Sequence, residues 1–99
     1  MLVIHFILSV LAGALICNSI PHLTAGLRGE EFPSPFSEPR GIAPSAPELN
    51  VIWGAANLFV GLLLFRYPVW LGFIIGFGGA GWYLAKHFGK VRAAGFKKL

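Results

Sequence analysis

The chain has 99 residues, of which 56% are hydrophobic and 12% are charged, and its formal net charge is +4. Its mean hydropathy is +0.70, and soluble domains carry roughly 25% charged residues, so the composition argues against a water-soluble fold. Cys17 is the only cysteine, which excludes an internal disulfide and any paired-cysteine zinc or redox motif.

The first apolar segment runs from Leu2 to Ile20 and contains no Lys, Arg, Asp or Glu. At about 1.5 Å per residue, a helix of this length crosses a hydrocarbon core about 30 Å thick. A cleaved secretory signal peptide is the competing interpretation. No basic residue precedes the apolar run, however, and Ile16 does not fit a lipoprotein cleavage site. We therefore expect residues 2–20 to be retained as a membrane anchor.

Small or polar side chains recur at every fourth position of this segment, at His5, Ser9, Gly13 and Cys17. Lipid tails are as apolar as leucine, so membrane helices associate through close van der Waals packing and a few interhelical hydrogen bonds. The pattern therefore predicts that Ser9 and Gly13 face another helix.

Residues 21–48 hold six of the seven prolines and all four acids. We predict that the helix stops at Pro21 and that one extramembrane loop follows. A short interfacial helix over residues 21–31 is compatible with the pattern. The run from Phe32 to Phe36 is predicted to be extended, because a residue before a proline is pushed out of the α region. Docking of Phe32 and Phe36 on the hairpin formed by the next two apolar segments, or on a partner, would make the loop an ordered element.

The second and third apolar segments, 49–65 and 69–85, have 17 residues each, which is the short end for a spanning helix. Only residues 66–68 separate them, so the two helices are predicted to be antiparallel neighbours in a tight hairpin. Pro68 suits the first turn of the third helix, where its missing N–H costs no hydrogen bond. The predicted fold is all-α, with three transmembrane helices in one membrane domain over residues 1–99.

An Asn-xxx-Gly unit occurs twice in the second segment, at a spacing of seven residues. This spacing places the unit on one helical face, where glycine permits close backbone approach and the amides hydrogen-bond across the contact. A ligand or ion site is the alternative for the asparagines. The third segment carries a similar face of small residues. The packing positions predicted in the two segments are Asn50, Gly54, Asn57, Gly61, Gly72, Gly76 and Ala80.

The C-terminal residues 86–99 carry five basic side chains and no acid. Each Lys or Arg near an anionic leaflet contributes about 1 kcal/mol, so this tail is predicted to lie along a lipid surface. A solvated cluster of charges is the alternative. The predicted headgroup contacts are Lys86, Lys90, Arg92, Lys97 and Lys98.

The basic residues also predict an orientation. Seven Lys and Arg side chains belong to the 21–48 loop and the tail, whereas Arg66 alone lies between the last two segments. Since basic residues near the membrane are retained in the cytoplasm, we expect the N-terminus outside and the C-terminus inside.

Several motifs resemble chemical sites but lack the context that the chemistry needs. Residues 76–81 match the dinucleotide fingerprint G-x-G-x-x-G, yet that site needs an acid about 20 residues later, and no acid follows Glu48. A glycine-rich packing face explains the match, and a bend or break in the third helix stays open. We predict no cofactor or metal, because no binding motif accompanies the candidate nitrogen ligands His5, His22 and His87.

Catalysis and proton coupling also lack support in the sequence. No Asp or Glu lies within an apolar segment, which argues against proton-driven transport. Ser9 and Cys17 have no evident base with an orienting acid, so we predict no enzymatic activity. The basic charge is adjacent to the predicted bilayer, which favours lipid over nucleic acid as a partner.

Two stretches, NSIPHLTAGLRGEEFPSPF at 18–36 and NVIWGAANL at 50–58, resemble a group of small bacterial membrane proteins of unassigned function. The resemblance implies a bacterial inner-membrane protein of about this length and supplies no ligand or catalytic residue. We expect a small accessory, scaffold or assembly subunit that acts by helix packing with a membrane-protein partner or further copies of itself. The alternative is a homo-oligomeric channel or carrier lined by the asparagine and glycine faces.

Overall fold

The computed structural model describes residues 1–95, and 72% of the structure is helical, which confirms the all-α class. Within these residues the elements in chain order are α1 (Leu2–Leu27), β1 (Phe32–Pro33), β2 (Pro44–Ser45), α2 (Pro47–Leu64) and α3 (Trp70–Ala93). The two short strands pair antiparallel within the polar loop.

α1 packs along α2 in the antiparallel direction. Gly61 near the end of α2 lies against Ile16, whereas Gly26 near the end of α1 lies against the start of α2. A Cβ atom on Gly26 would stand 2.6 Å from the carbonyl oxygen of Pro47, so only glycine permits this approach. The glycines therefore set the short distance between these two backbones.

α1 also packs along α3, and these two helices run parallel. Gly72 and Gly76 lie against the backbone of α1 at Phe6 and Val10, and a Cβ atom on Gly72 would stand 2.8 Å from the Phe6 carbonyl oxygen. Gly13 of α1 lies in turn against the α3 backbone. Both helices thus contribute glycine to a direct contact of main chains.

The predicted tight hairpin of the second and third helices is not confirmed. α2 and α3 each contact α1 extensively but scarcely touch each other, so α1 lies between them. At the connection, Phe65 contacts Trp70 and Phe73, with ring centroids 4.9 and 4.7 Å apart. The physical reason is that α2 and α3 turn their glycine faces toward α1, where the backbones approach most closely.

The prediction that the first helix stops at Pro21 is wrong, because α1 continues to Leu27 with Pro21 inside it. Proline removes one backbone donor, so the helix loses only the single bond from residue 21 to the Cys17 carbonyl. On either side of the proline, Ser19 Oγ donates to the Ile16 carbonyl and Thr24 Oγ1 to the Ile20 carbonyl. The turns beyond Pro21 also bury His22 and Ala25 against the rest of the molecule.

The third helix is longer than predicted. α3 begins at Trp70 and continues to Ala93, so Pro68 precedes the helix, and Lys86, Lys90 and Arg92 are helical instead of forming a separate tail. No proline interrupts the chain after Ala85, and basic residues in the last turn interact favourably with the helix dipole.

α1 and α2 are the two helices, among residues 1–95, that are long and apolar enough to cross a membrane by length and composition. α3 is not among them. Its uncharged stretch from Trp70 to Ala85 is short and rich in glycine, and Lys86 and His87 follow it directly, so the mean hydropathy of a full spanning length is low.

Candidate functional site at the junction of loop and helices

The polar loop between α1 and α2 is held together by hydrogen bonds among its serines. The pairing of β1 with β2 places Phe32 opposite Ser45, and the hydroxyl oxygens of Ser34 and Ser45 lie 2.6 Å apart. Ser37 Oγ donates to the Ser34 carbonyl at 2.7 Å, and the Gly41 N–H donates to the same carbonyl. The loop therefore has a defined conformation from Phe32 onward.

Asn50, on the first turns of α2, ties this loop to the helices. Its fully buried side-chain amide donates from Nδ2 to the carbonyls of Phe32 at 2.9 Å and Ala46 at 3.1 Å, with a longer bond to Ser45. These bonds fix the orientation of the amide, so Oδ1 faces His22 of α1 and accepts from its Nδ1 at 2.7 Å. Nδ1 of His22 therefore carries the proton, and in the neutral ring Nε2 is an acceptor.

Aromatic rings extend this junction to α3. The His22 ring meets the edges of Phe32 and Phe88, with centroids 5.4 and 6.4 Å apart, and those two phenyl rings lie 4.6 Å from each other. His87, the neighbour of Phe88, donates from Nε2 to the Gly41 carbonyl at 2.6 Å. The loop is thus bonded to α2 at one point and to α3 at another.

A second cross-helix contact lies two turns further along α2. Asn18 of α1 donates from Nδ2 to Asn57 Oδ1 at 3.2 Å, and Asn57 Nδ2 donates to the Trp53 carbonyl at 2.8 Å. Trp53 packs edge-on against Phe36 of the loop, with ring centroids 5.4 Å apart. Its Nε1–H is buried and has no acceptor among residues 1–95.

A cavity of about 300 Å³, the loop cavity, lies where these groups meet. Its polar lining comes from α1, the loop and α3, and the rings of Trp53 and Phe88 complete it. The side chains that give the cavity its chemistry are Asn18, His22, Ser34, Arg40, Tyr83 and His87.

The predicted packing residues lie mostly at the helix contacts. Asn50, Gly54, Asn57 and Gly61 are the buried residues of α2, and Gly72 and Gly76 are buried in α3. Ser9 and Gly13 are buried in α1, and Ser9 Oγ accepts a hydrogen bond from the Val69 N–H at 3.0 Å. Ala80 is half-buried.

The structure describes three of the five residues that are predicted to contact lipid headgroups. Lys86, Lys90 and Arg92 are exposed on the last turns of α3. Lys97 and Lys98 lie outside the described residues.

The histidines are divided between the two ends of the bundle. His22 and His87 line the loop cavity, whereas His5 stacks on Tyr67 at the opposite end, with ring centroids 4.9 Å apart. Residues 1–95 contain no group of three or more His, Cys, Asp or Glu side chains that could hold a metal ion.

Sequence reasoning did not identify Asn18, His22 and Arg40 as parts of one site. The sequence does contain one indication of the contacts between α1 and α2. Asn18 and His22 are four residues apart on α1, and Asn50 and Asn57 are seven residues apart on α2. Antiparallel helices with these spacings can pair both sets of side chains. The position of Arg40 follows from the loop conformation and had no comparable signal.

Comparison of the chain with protein-family models, curated proteins and solved structures found no match.

Proposed function

We propose that this protein is a three-span integral protein of the bacterial inner membrane and acts, without catalysis, as a small accessory or scaffold subunit. The observation that carries the proposal is the inverted distribution of polarity. Apolar side chains cover the outside of the helices, and polar side chains and glycines fill the contacts between them.

The buried and exposed residues show this inversion clearly. The largest fully buried side chains include Asn50, Ser9 and Ser19, whereas Ile52, Phe59, Leu62, Leu71 and Ile74 are each more than half exposed. Large exposed apolar surfaces mark contact with a membrane or another protein. Only 28% of the apolar window of α1 and 22% of that of α2 is buried, unlike the mostly buried core helix of a soluble protein.

α3 supplies the third proposed span. It runs parallel to α1 along its glycine contact, and its outer face exposes Trp70, Leu71, Ile74 and Ile75. A helix that lies beside a spanning helix with an apolar outer face is most readily accommodated in the same bilayer.

The proposed orientation has the N-terminus outside and the loop and C-terminus in the cytoplasm. The loop contacts the end of α3 through His87, so Arg28, Arg40 and Lys90 all belong to the same end of the bundle. Arg66, in the connection at the other end, is the only Lys or Arg side chain there within residues 1–95. This asymmetry favours the loop end as cytoplasmic.

The accessory role is supported by surfaces that the fold leaves available. A Cβ atom added to Gly78, Gly79 or Gly89 of α3 would meet no other atom within 4 Å, so another helix can approach α3 closely there. The alternative of a channel between copies has less support, because Asn50 and Asn57 are buried within one copy.

The membrane proposal is tested by extraction and the role by cross-linking. The protein should resist extraction of membranes with alkaline carbonate, and a reporter fused after Leu99 should be active in the cytoplasm. Cross-linking in intact membranes, followed by mass spectrometry, should join the chain to a larger membrane protein that also co-purifies in mild detergent. Discrete homo-oligomers that support flux in liposomes would favour the channel, and a lone inert monomer would contradict both roles.

A further inference from the structure

The loop cavity and the cleft beside it form a basic surface. Arg40 lines the loop cavity and forms no ion pair with any of residues 1–95. An adjoining cleft, which shares Tyr83 and His87 with the cavity, contains Lys86 and Lys90. No Asp or Glu lines either space within the described part of the chain. Three cations without a carboxylate are suited to a phosphate group.

The inner part of the cavity offers uncharged acceptors. Nδ2 of Asn18 is used by Asn57, and Oδ1 of Asn18 accepts from no residue in the range 1–95. His22 donates from Nδ1 to Asn50, which leaves Nε2 as an acceptor with no partner in the same range. Hydroxyl groups are suitable donors for these two acceptors.

In the proposed bilayer, the aromatic residues beside the cavity place it at the level of the lipid headgroups. Trp82 and Tyr83 are exposed beside it, and Lys86 Nζ lies 4.6 Å above the centre of the Trp82 ring. Tryptophan and tyrosine are enriched at the level of the lipid headgroups, and basic pockets on the cytoplasmic side bind anionic headgroups.

We propose that the loop cavity binds the headgroup of one anionic phospholipid that carries hydroxyls, such as phosphatidylglycerol. The phosphate lies between Arg40 and the lysines of α3, and the glycerol hydroxyls donate to Asn18 and His22. This inference rests on the proposed membrane location. It goes further by assigning a specific lipid class to a defined site.

The same features discriminate against other headgroups. An ethanolamine headgroup would bring an ammonium close to Arg40, Lys86 and Lys90, and no acidic side chain lines the cavity to offset that repulsion. A choline headgroup has no donor for Asn18 or His22. Phosphatidylglycerol satisfies both the cations and the acceptors.

The test uses the full chain purified in a neutral maltoside detergent. Thermal unfolding is followed with added phosphatidylglycerol, phosphatidylethanolamine, phosphatidylcholine or water-soluble glycerol 3-phosphate, and bound lipid is counted by native mass spectrometry. We expect one retained phosphatidylglycerol and a higher unfolding temperature with this lipid alone.

Two variants localise the site. Arg40→Gln should weaken phosphatidylglycerol binding about tenfold or more, because a hydrogen bond to a charged group is lost. Arg28→Gln is the matched control, since Arg28 is exposed, pairs with Glu30 at 2.8 Å and lies outside the cavity. The affinity of the Arg28→Gln variant for phosphatidylglycerol should change by less than about twofold, because an exposed ion pair contributes little free energy. Should Arg40→Gln fail to fold, Lys90→Gln, on the exposed face of α3, replaces it and should also weaken binding.

Three results would overturn the assignment. Equal weakening by the Arg40 and Arg28 variants would show diffuse attraction instead of a site. Equal stabilisation by phosphatidylethanolamine would show that the site does not select the headgroup. Equal stabilisation by glycerol 3-phosphate would show that the site binds a soluble phosphate and not a lipid. Carbonate extraction of the same preparations tests membrane integration separately, so a failure of lipid binding is distinguished from a failure of the proposed location.

Discussion

Asn50 is the residue at which the loop, α1 and α2 are joined. Its amide donates to the carbonyls of Phe32 and Ala46 and accepts from His22, so one buried side chain satisfies groups in three parts of the chain. Buried polar groups that lose a partner pay the full cost of desolvation, which makes this position more sensitive than an ordinary interhelical contact.

The two asparagines of α2 are therefore expected to differ. Asn50→Leu should lower the free energy of unfolding by about 1–3 kcal/mol, because the His22 Nδ1–H and the Phe32 carbonyl lose their partner. Asn57→Leu, the matched control, removes the bond from Asn18, and such bonds average about 0.6 kcal/mol. Denaturation in mild detergent measures both. Equal losses would contradict the junction role of Asn50.

The sequence revealed Asn50 and Asn57 through their spacing but not the partner of Asn50. His22 follows Pro21, and reasoning from proline alone placed it in a loop. It faces Asn50 only because α1 continues through that proline. Its role depended on tertiary contacts that no local pattern specifies.

At the level of the helix, the glycines of α3 fall into two classes. Gly72 and Gly76 meet the backbone of α1, whereas Gly78 and Gly79 have open space around them. Sequence alone shows one glycine-rich helix and does not separate these two classes of glycine. The separation depends on how α3 is rotated about its own axis, which decides which glycines face α1.

Alanine substitutions distinguish the two classes. Gly76→Ala should destabilise the protein by about 1–3 kcal/mol, since the new Cβ would meet the Val10 carbonyl oxygen and force the backbones apart. Gly79→Ala should be neutral or stabilising by up to about 1 kcal/mol, because alanine favours the helix and meets no atom. The two variants are compared by their unfolding temperatures in the same detergent. If Gly79→Ala destabilised the protein as much as Gly76→Ala does, this packing would be contradicted.

The loop between α1 and α2 is an ordered element despite its four prolines and its acidic residues. Its amides at Ser37 and Gly41 donate to the Ser34 carbonyl, and its backbone carbonyls accept hydrogen bonds from α2 and α3. Composition suggested a polar connection, and the docking of Phe32 and Phe36 was one of the interpretations that the Pro-flanked aromatics allowed.

Amide exchange tests the order of the loop. The N–H groups of Ser37 and Gly41 should exchange much more slowly than in an unfolded peptide, because both are hydrogen-bonded and Ser37 is buried. Glu31, an exposed residue whose N–H donates to no backbone carbonyl of residues 1–95, serves as an internal reference for fast exchange. Mass spectrometry or NMR in detergent resolves them, and equally fast exchange at all three would show a disordered loop.

On the scale of the whole molecule, α1 is the helix on which the fold depends. Both other helices pack against it and scarcely meet each other. The sequence predicted three helical segments, and the short connection between the last two favoured a hairpin. Connection length limits how far apart two helix ends can lie, but it does not decide which faces pack.

Removal of α1 should therefore separate the other two helices. A chain of residues 29–99 is expected to enter the membrane yet become sensitive to protease, and co-expression of residues 1–28 as a separate chain should restore resistance. Limited proteolysis of membranes measures this. Full resistance of residues 29–99 alone would show that α2 and α3 hold together without α1.

The central position of α1 also matches the direction of translation. The ribosome releases this helix first, so α2 finds its binding surface already present when it emerges, and α3 then completes the opposite side. Assembly can follow synthesis step by step, because each later helix emerges when its partner α1 has already been made.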